Sequence, residues 1–135
     1  VKDWIIKVRN DVPDAPVLVT AGGLLHYFEE NKVISLLRMI GQSGNMEVVF
    51  DTVNKKGMAM MQKKYMKQVG HADAQMFFYV DAAKELAAKI RGNVKVIAEE
   101  PYYRYIPKNG LKLSTKVSMA VSDQFKMVKM IHLKL

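Results

Sequence analysis

A chain of 135 residues, half of them hydrophobic and a quarter charged, is long enough to bury one core and has the composition of a folded domain. The absence of cysteine excludes disulfides, thiolate metal ligands and cysteine nucleophiles, and fits a cytoplasmic location. The formal net charge of +8 is uneven, with five basic and seven acidic side chains in residues 1–53 against sixteen and six in residues 54–135. That excess can attract phosphates or an anionic substrate. The lysines are scattered and lack interleaved aromatics, however, which favours a solvated lysine face over nucleic-acid binding.

No apolar run approaches the length of a membrane span, and the first residues lack the basic-then-apolar layout of a secretory leader. The sequence opens at Val1 rather than methionine and is at once in apolar material. It therefore reads as the remainder of a longer chain.

Trp4, Ile5, Ile6 and Val8 among charges predict an amphipathic helix end, and the two prolines and two aspartates of Asp11 to Pro16 a loop. Val17 to Thr20 is aliphatic and β-branched without polar alternation, the pattern of a strand buried on both faces of a parallel sheet. Gly22-Gly23 ends it, where a ligand or another backbone can approach closely. Asn31 is placed to cap a helix carrying Val33, Ile34, Leu36, Leu37 and Ile40, which Gly41 stops. Met46 to Thr52 reads as a second buried strand. Strand, helix and strand form a βαβ unit with parallel strands, so Asp51 falls at the carboxyl end of the second strand, beside the Gly-Gly turn. There a carboxylate can hold a ligand hydroxyl or ammonium, or cap the next segment.

Residues 54–69 alternate Met58, Met60, Met61 and Met66 with five lysines and no acid. Two readings stand: a mobile amphipathic cover over a pocket, lid-like from about 54 to 75, or a surface helix with a methionine core face. Met76 to Val80 returns the chain to the domain body. Asp81 begins a helix with Ala83, Leu86, Ala87 and Ile90 inward and Gly92 after its end. Val94 to Ala98 is a third strand, stopped by Glu99-Glu100-Pro101. Tyr102, Tyr103 and Tyr105 follow and can line a pocket mouth or pack at an edge. Ser114 or Thr115 caps a short helix to Ser122. A last strand begins at Phe125, with Phe125, Met127, Ile131, Leu133 and Leu135 on one face, paired antiparallel after its short connection.

Neither a GxGxxG nor a GxxxxGK[ST] motif is present, which argues against a self-contained dinucleotide or nucleoside-triphosphate site. His71 with Asp73 is a poor metal signature, and His132 reads as structural. His26, directly after the Gly-Gly turn, is either a packed helix histidine or a functional one.

The run from Ala21 to Phe28, Ala-Gly-Gly-Leu-Leu-His-Tyr-Phe, followed by Glu29-Glu30 and an aliphatic helix, resembles the region after the fourth strand of one family. This is the leucine carboxyl methyltransferase and polyketide-synthesis (tetracenomycin-type) O-methyltransferase family. Asp3-Trp4, Glu47 to Asp51, an insertion after that strand, Asp81 to Ile90, and Ser122 to Met127 leading into the last strand match in order. The resemblance implies an α/β, Rossmann-like methyltransferase fold, represented by strands four to seven with the last antiparallel. It implies dependence on S-adenosylmethionine (SAM) and transfer of its methyl group to an oxygen of a small acidic or phenolic substrate. In that frame His26 is the candidate base and Tyr27 shapes the transfer pocket. Ala21, Gly22 and Gly23 admit the methionine part of SAM, while Asp51, Met58, Met61, Tyr102 and Tyr103 meet the acceptor. Many members carry Glu where this chain has Gly22, so that carboxylate's role does not transfer. The family's glycine-rich turn and ribose-holding acid belong to the half that this chain does not resemble. An apolar Val17–Thr20 edge with no neighbour is an aggregation hazard, so the missing half or a second copy is expected to pair there. The competing expectation is a non-catalytic α/β module that dimerises through that strand.

Overall fold

The structure, a computed structural model, describes residues 1–68 and 75–135. Helix α1 (Lys2–Asp11) leads into β1 (Val17–Ala21), a 3₁₀ turn (Leu25–Tyr27), α2 (Glu30–Gly41) and β2 (Met46–Val53). Then come α3 (Lys55–Gln68), α4 (Ala83–Ile90), β3 (Lys95–Pro101), α5 (Leu113–Gln124) and β4 (Val128–Lys134). The four strands form one mixed sheet in the order β1-β2-β4-β3, so the domain is α/β. β1 and β2 are parallel, as the βαβ reading expects, and β4 lies antiparallel between β2 and β3.

Strand alternation sorts the side chains onto two faces. Register sets Val48 opposite Leu133, Phe50 opposite Ile131 and Thr52 opposite Lys129, and all six are buried. Over this face lie Val33 and Leu37 of α2, Ala83, Leu86 and Ile90 of α4, and the extended segment bearing Phe78 and Val80. Each such apolar side chain contributes about 1.5–3 kcal/mol on full burial, so this one-sided layer is the main support of the fold. Ile5 of α1 packs separately on Ile40 and Met46. The Arg9 guanidinium holds α1 against both neighbouring loops through the carbonyls of Ala15 at 2.7 Å and Asn45 at 3.2 Å.

β1 differs from its expectation. Its place at the sheet edge is the one the resemblance implies, but it is not buried on both faces: both covering helices lie on one side, so Leu18 and Thr20 are exposed and only Val17, Val19 and Ala21 are half-buried. β3 also runs through Glu99 and Glu100 to Pro101 instead of stopping before them. It is the opposite edge, where proline removes no necessary ladder bond, and Glu99 has a buried partner on β4.

The expected caps differ as well. The Asn31 side chain accepts from the Lys32 amide, and α2 starts after Glu29. α5 starts after Lys112, with Ser114 and Thr115 inside it. α5 extends to Gln124, so Phe125 ends a helix and is exposed, Lys126 turns the chain at φ +48°, and the last strand begins only at Val128. After α4, Gly92 takes the left-handed φ expected of it, at +86°, and Arg91 before it also takes positive φ, at +68°. Lys55–Gln68 form the helix α3. The remainder of the expected lid falls partly on residues 69–74, outside the described residues, as does the His71/Asp73 pair.

Candidate functional site

β1, β2 and β3 run in one direction, which gathers their carboxyl ends on one rim of the sheet, the side on which open α/β sheets bind ligands. Pairing of Ala21 with Phe50 brings the Gly22-Gly23 turn beside Asp51, the next residue of β2. The Gly23 amide donates to Asp51 Oδ1 at 2.6 Å. Gly23 sits at φ +63°, a left-handed angle that glycine adopts without penalty. Asp51 thus fixes the turn, and its second oxygen makes no hydrogen bond among the described residues.

Thr20, Ala21, Gly22, Gly23, Val49, Asp51, Tyr102 and Met130 line an open recess at this rim. A Cβ on Gly22 or Gly23 would meet no atom of the described residues within 4 Å, so their packing does not demand a bare backbone at Gly22. The space beside it is free for a ligand or for another polypeptide.

His26 follows in the 3₁₀ turn with 8% of its surface exposed, and its carbonyl accepts from the amides of Phe77 (2.8 Å) and Phe78 (3.3 Å). The segment after α3 is thereby sewn over the histidine backbone. Burial pushes the imidazole pKa below its ordinary 6.5, and the nearby Asp51 charge opposes this with a smaller upward effect. The ring is therefore neutral at pH 7 and able to accept a proton. The Tyr27 ring lies 4.2 Å from it, tilted by 53°, and is itself exposed.

The expected site residues divide between two places. Ala21, Gly22, Gly23, Asp51 and Tyr102 share the recess, and the Asp51 charge reaches His26. Met61 and Tyr103 instead line a groove between α3 and α5, and Met58 is half-buried on α3. Tyr102 and Tyr103, edge to face with ring centres 5.2 Å apart, serve one cavity each. Sequence reasoning missed Thr20, Val49 and Met130. They share the outer sheet face with Asp51, which the two registers reveal by setting Thr20 opposite Val49 and Asp51 opposite Met130. His132 pairs with Glu47 at 2.7 Å on the same face.

Among the described residues no group of three or more His, Cys, Asp or Glu side chains is arranged to hold a metal ion, and no helix is long and apolar enough to cross a membrane. Comparison with family models and with curated proteins finds no match for this chain.

Proposed function

We propose that this chain is the carboxyl-side half of a SAM-dependent O-methyltransferase that acts on a small acidic or phenolic acceptor. The observation that carries the reading is the Asp51 carboxylate fixing the Gly23 amide at the carboxyl ends of two parallel strands, next to a glycine with no side-chain neighbour. The antiparallel closing strand supports it, because the resemblance to leucine carboxyl and tetracenomycin-type methyltransferases implies such a strand.

The residues present suit one wall of a cofactor site. Ala21 to Gly23 offer open backbone to the methionine part of SAM, and Asp51 offers a carboxylate to an ammonium or hydroxyl. When bound, SAM supplies a sulfonium methyl group open to in-line attack. The remaining work on this side of the site is orientation and exclusion of water, which can account for much of the acceleration. Tyr102, Thr20 and Met130 give the acceptor a mixed surface. A carboxylate acceptor needs no base; a phenol benefits from one, and neutral His26 is the residue to take its proton. Tyr27 shapes the entrance. The missing glycine-rich wall pairs along the outer edge of β1, supplied by a longer chain or a second copy.

A second reading has its own observation. β1 is an edge strand with Leu18 57% exposed, which also suits a non-catalytic module that dimerises there. Equilibrium dialysis against labelled SAM separates the two, using the protein with whatever its coding sequence places before Val1. Saturable binding that Asp51→Asn weakens at least tenfold is expected. Absent binding together with a dimeric mass overturns the enzyme in favour of the module.

A further inference from the structure

The groove between α3 and α5 has a construction unrelated to the recess. On α3, Gly57, Met60, Met61 and Lys64 face it at helical spacing; on α5, Val117, Ser118, Val121 and Ser122 do the same, above a floor of Tyr103, Met127 and Val128. Met60, Val117 and Val121 are exposed, at 58%, 53% and 42%. Two helical stripes therefore face a common channel that neither fills. At 1.5 Å per residue, the lining from Gly57 to Lys64 on α3 and from Val117 to Ser122 on α5 gives walls of roughly 10 Å, the length of about two helical turns.

The charge beside the channel is mostly positive, with the Asp81 carboxylate accepting from the Lys55 amide at the start of α3. Lys55, Lys56, Lys63 and Lys64 are exposed on α3, which contains no acid. On α5 the one acid, Asp123, is engaged by the Tyr103 amide at 3.0 Å. Lys112 and Lys126 stand exposed at its two ends.

We infer that this groove docks an amphipathic helix of a partner protein, apolar along one stripe and flanked by aspartate and glutamate. Methionine suits such a groove because its flexible, polarizable side chain repacks around different apolar anchors. The lysines would select acidic flanks and speed encounter. The channel's concavity favours a helix over a membrane surface, which an amphipathic element enters with an apolar face that protrudes. The inference does not depend on the methyltransferase reading.

A phage-displayed library of 16-residue helix-forming peptides, selected on the full chain, tests it. Enriched peptides should carry apolar residues at i, i+3 or i+4 and i+7 with an excess of Asp and Glu between them. A labelled winner should lose at least tenfold in affinity to Met60→Glu and Val121→Glu, both at exposed positions, and to the paired Lys63→Glu and Lys64→Glu. It should also weaken as salt is raised. Enrichment that these variants leave unchanged, or winners with basic or uncharged flanks, would overturn the proposal. So would groove-dependent binding to phosphatidylserine vesicles without peptide binding, or self-association that the same variants abolish.

Discussion

Lys129 Nζ lies 2.6 Å from Glu99 Oε1 and 2.7 Å from the Asp81 carbonyl, on the helix-covered face of the sheet, with 1% of the lysine side chain exposed. One ammonium thus joins the closing strand, its edge neighbour β3 and the approach to α4. Glu99 also accepts from the Ala83 amide through its other oxygen, at 3.3 Å, in the first turn of α4. An ion removed from water is tolerated only while its partners remain.

The two halves of this pair should therefore respond unequally to substitution. Glu99→Ala strands a buried ammonium and uncaps α4, and should cost about 3–5 kcal/mol. Lys129→Met removes the buried ammonium and keeps the volume, and the Glu99 carboxylate it leaves is 24% exposed and still holds the Ala83 amide; its expected cost is smaller, about 1–3 kcal/mol. Urea unfolding of both variants measures the difference. Equal losses would show that the pair is not what holds these elements together.

Gly57 makes a second, steric prediction. Asn54 caps α3 by accepting from the Gly57 amide at 2.7 Å and binds the end of α5 through the Phe125 carbonyl at 3.0 Å, while its own amide reaches the Met127 carbonyl at 3.0 Å. α3 consequently starts pressed against Met127, and a Cβ on Gly57 would run into that carbonyl oxygen and lie 3.1 Å from its carbon. Helix propensity returns about 1 kcal/mol on replacing Gly by Ala, whereas forcing atoms into a packed contact costs about 1–3 kcal/mol. Gly57→Ala should thus destabilise by up to about 2 kcal/mol in denaturant titration, and a more stable variant would show that α3 moves away freely.

The same two features show where the sequence was legible. Alternation along β2 and helical spacing along α2 and α4 report burial directly, so the βαβ unit, its parallel pairing and the Asp51–Gly23 meeting could be read from the chain. Lys129 could not. Hydrophobic patterning passed over it between Met127 and Ile131, just as Glu99 passed for a strand terminator, because each is admissible in the interior only with the other present. The pair hid in two places at once, and β3 was shortened as a result. The exposure of β1 was hidden differently. An apolar run reports a preference for burial and carries no information about which face a neighbour fails to cover. The division of Tyr102 and Tyr103 between two cavities likewise follows from how the turn after β3 packs on α5, which sequence spacing does not encode.

The two turn glycines should separate stability from ligand binding. Gly22→Ala adds a methyl group where the described residues have no atom within 4 Å, so stability should change by less than about 0.5 kcal/mol. Gly23→Ala puts a Cβ at φ +63° and should cost about 1–2 kcal/mol. If the recess is one wall of a SAM site, Gly22→Ala nonetheless weakens SAM binding several-fold in equilibrium dialysis. Unchanged binding by a stable Gly22→Ala protein would remove the turn from the cofactor site.

His26 supplies a prediction in pH. Its folded pKa lies below the ordinary 6.5, chiefly because the ring is buried, with Asp51 pulling the other way. Between that lowered value and about 6.5 the unfolded chain binds a proton that the folded chain refuses, so unfolding gains free energy as pH falls through this window. The stability associated with His26 should be complete above about pH 6.5 and decline below it, and this increment should vanish in His26→Gln, where nothing titrates. Catalysis has a matching sign. A neutral base is available throughout the range above the lowered pKa, so transfer to a phenolic acceptor should be level near pH 7 and fall only in acid. His26→Gln should slow it at least tenfold while leaving transfer to a carboxylate acceptor within about twofold. Equal slowing of both acceptors would mean that His26 holds the turn and takes no proton. If neither acceptor slowed, the base would have to lie elsewhere.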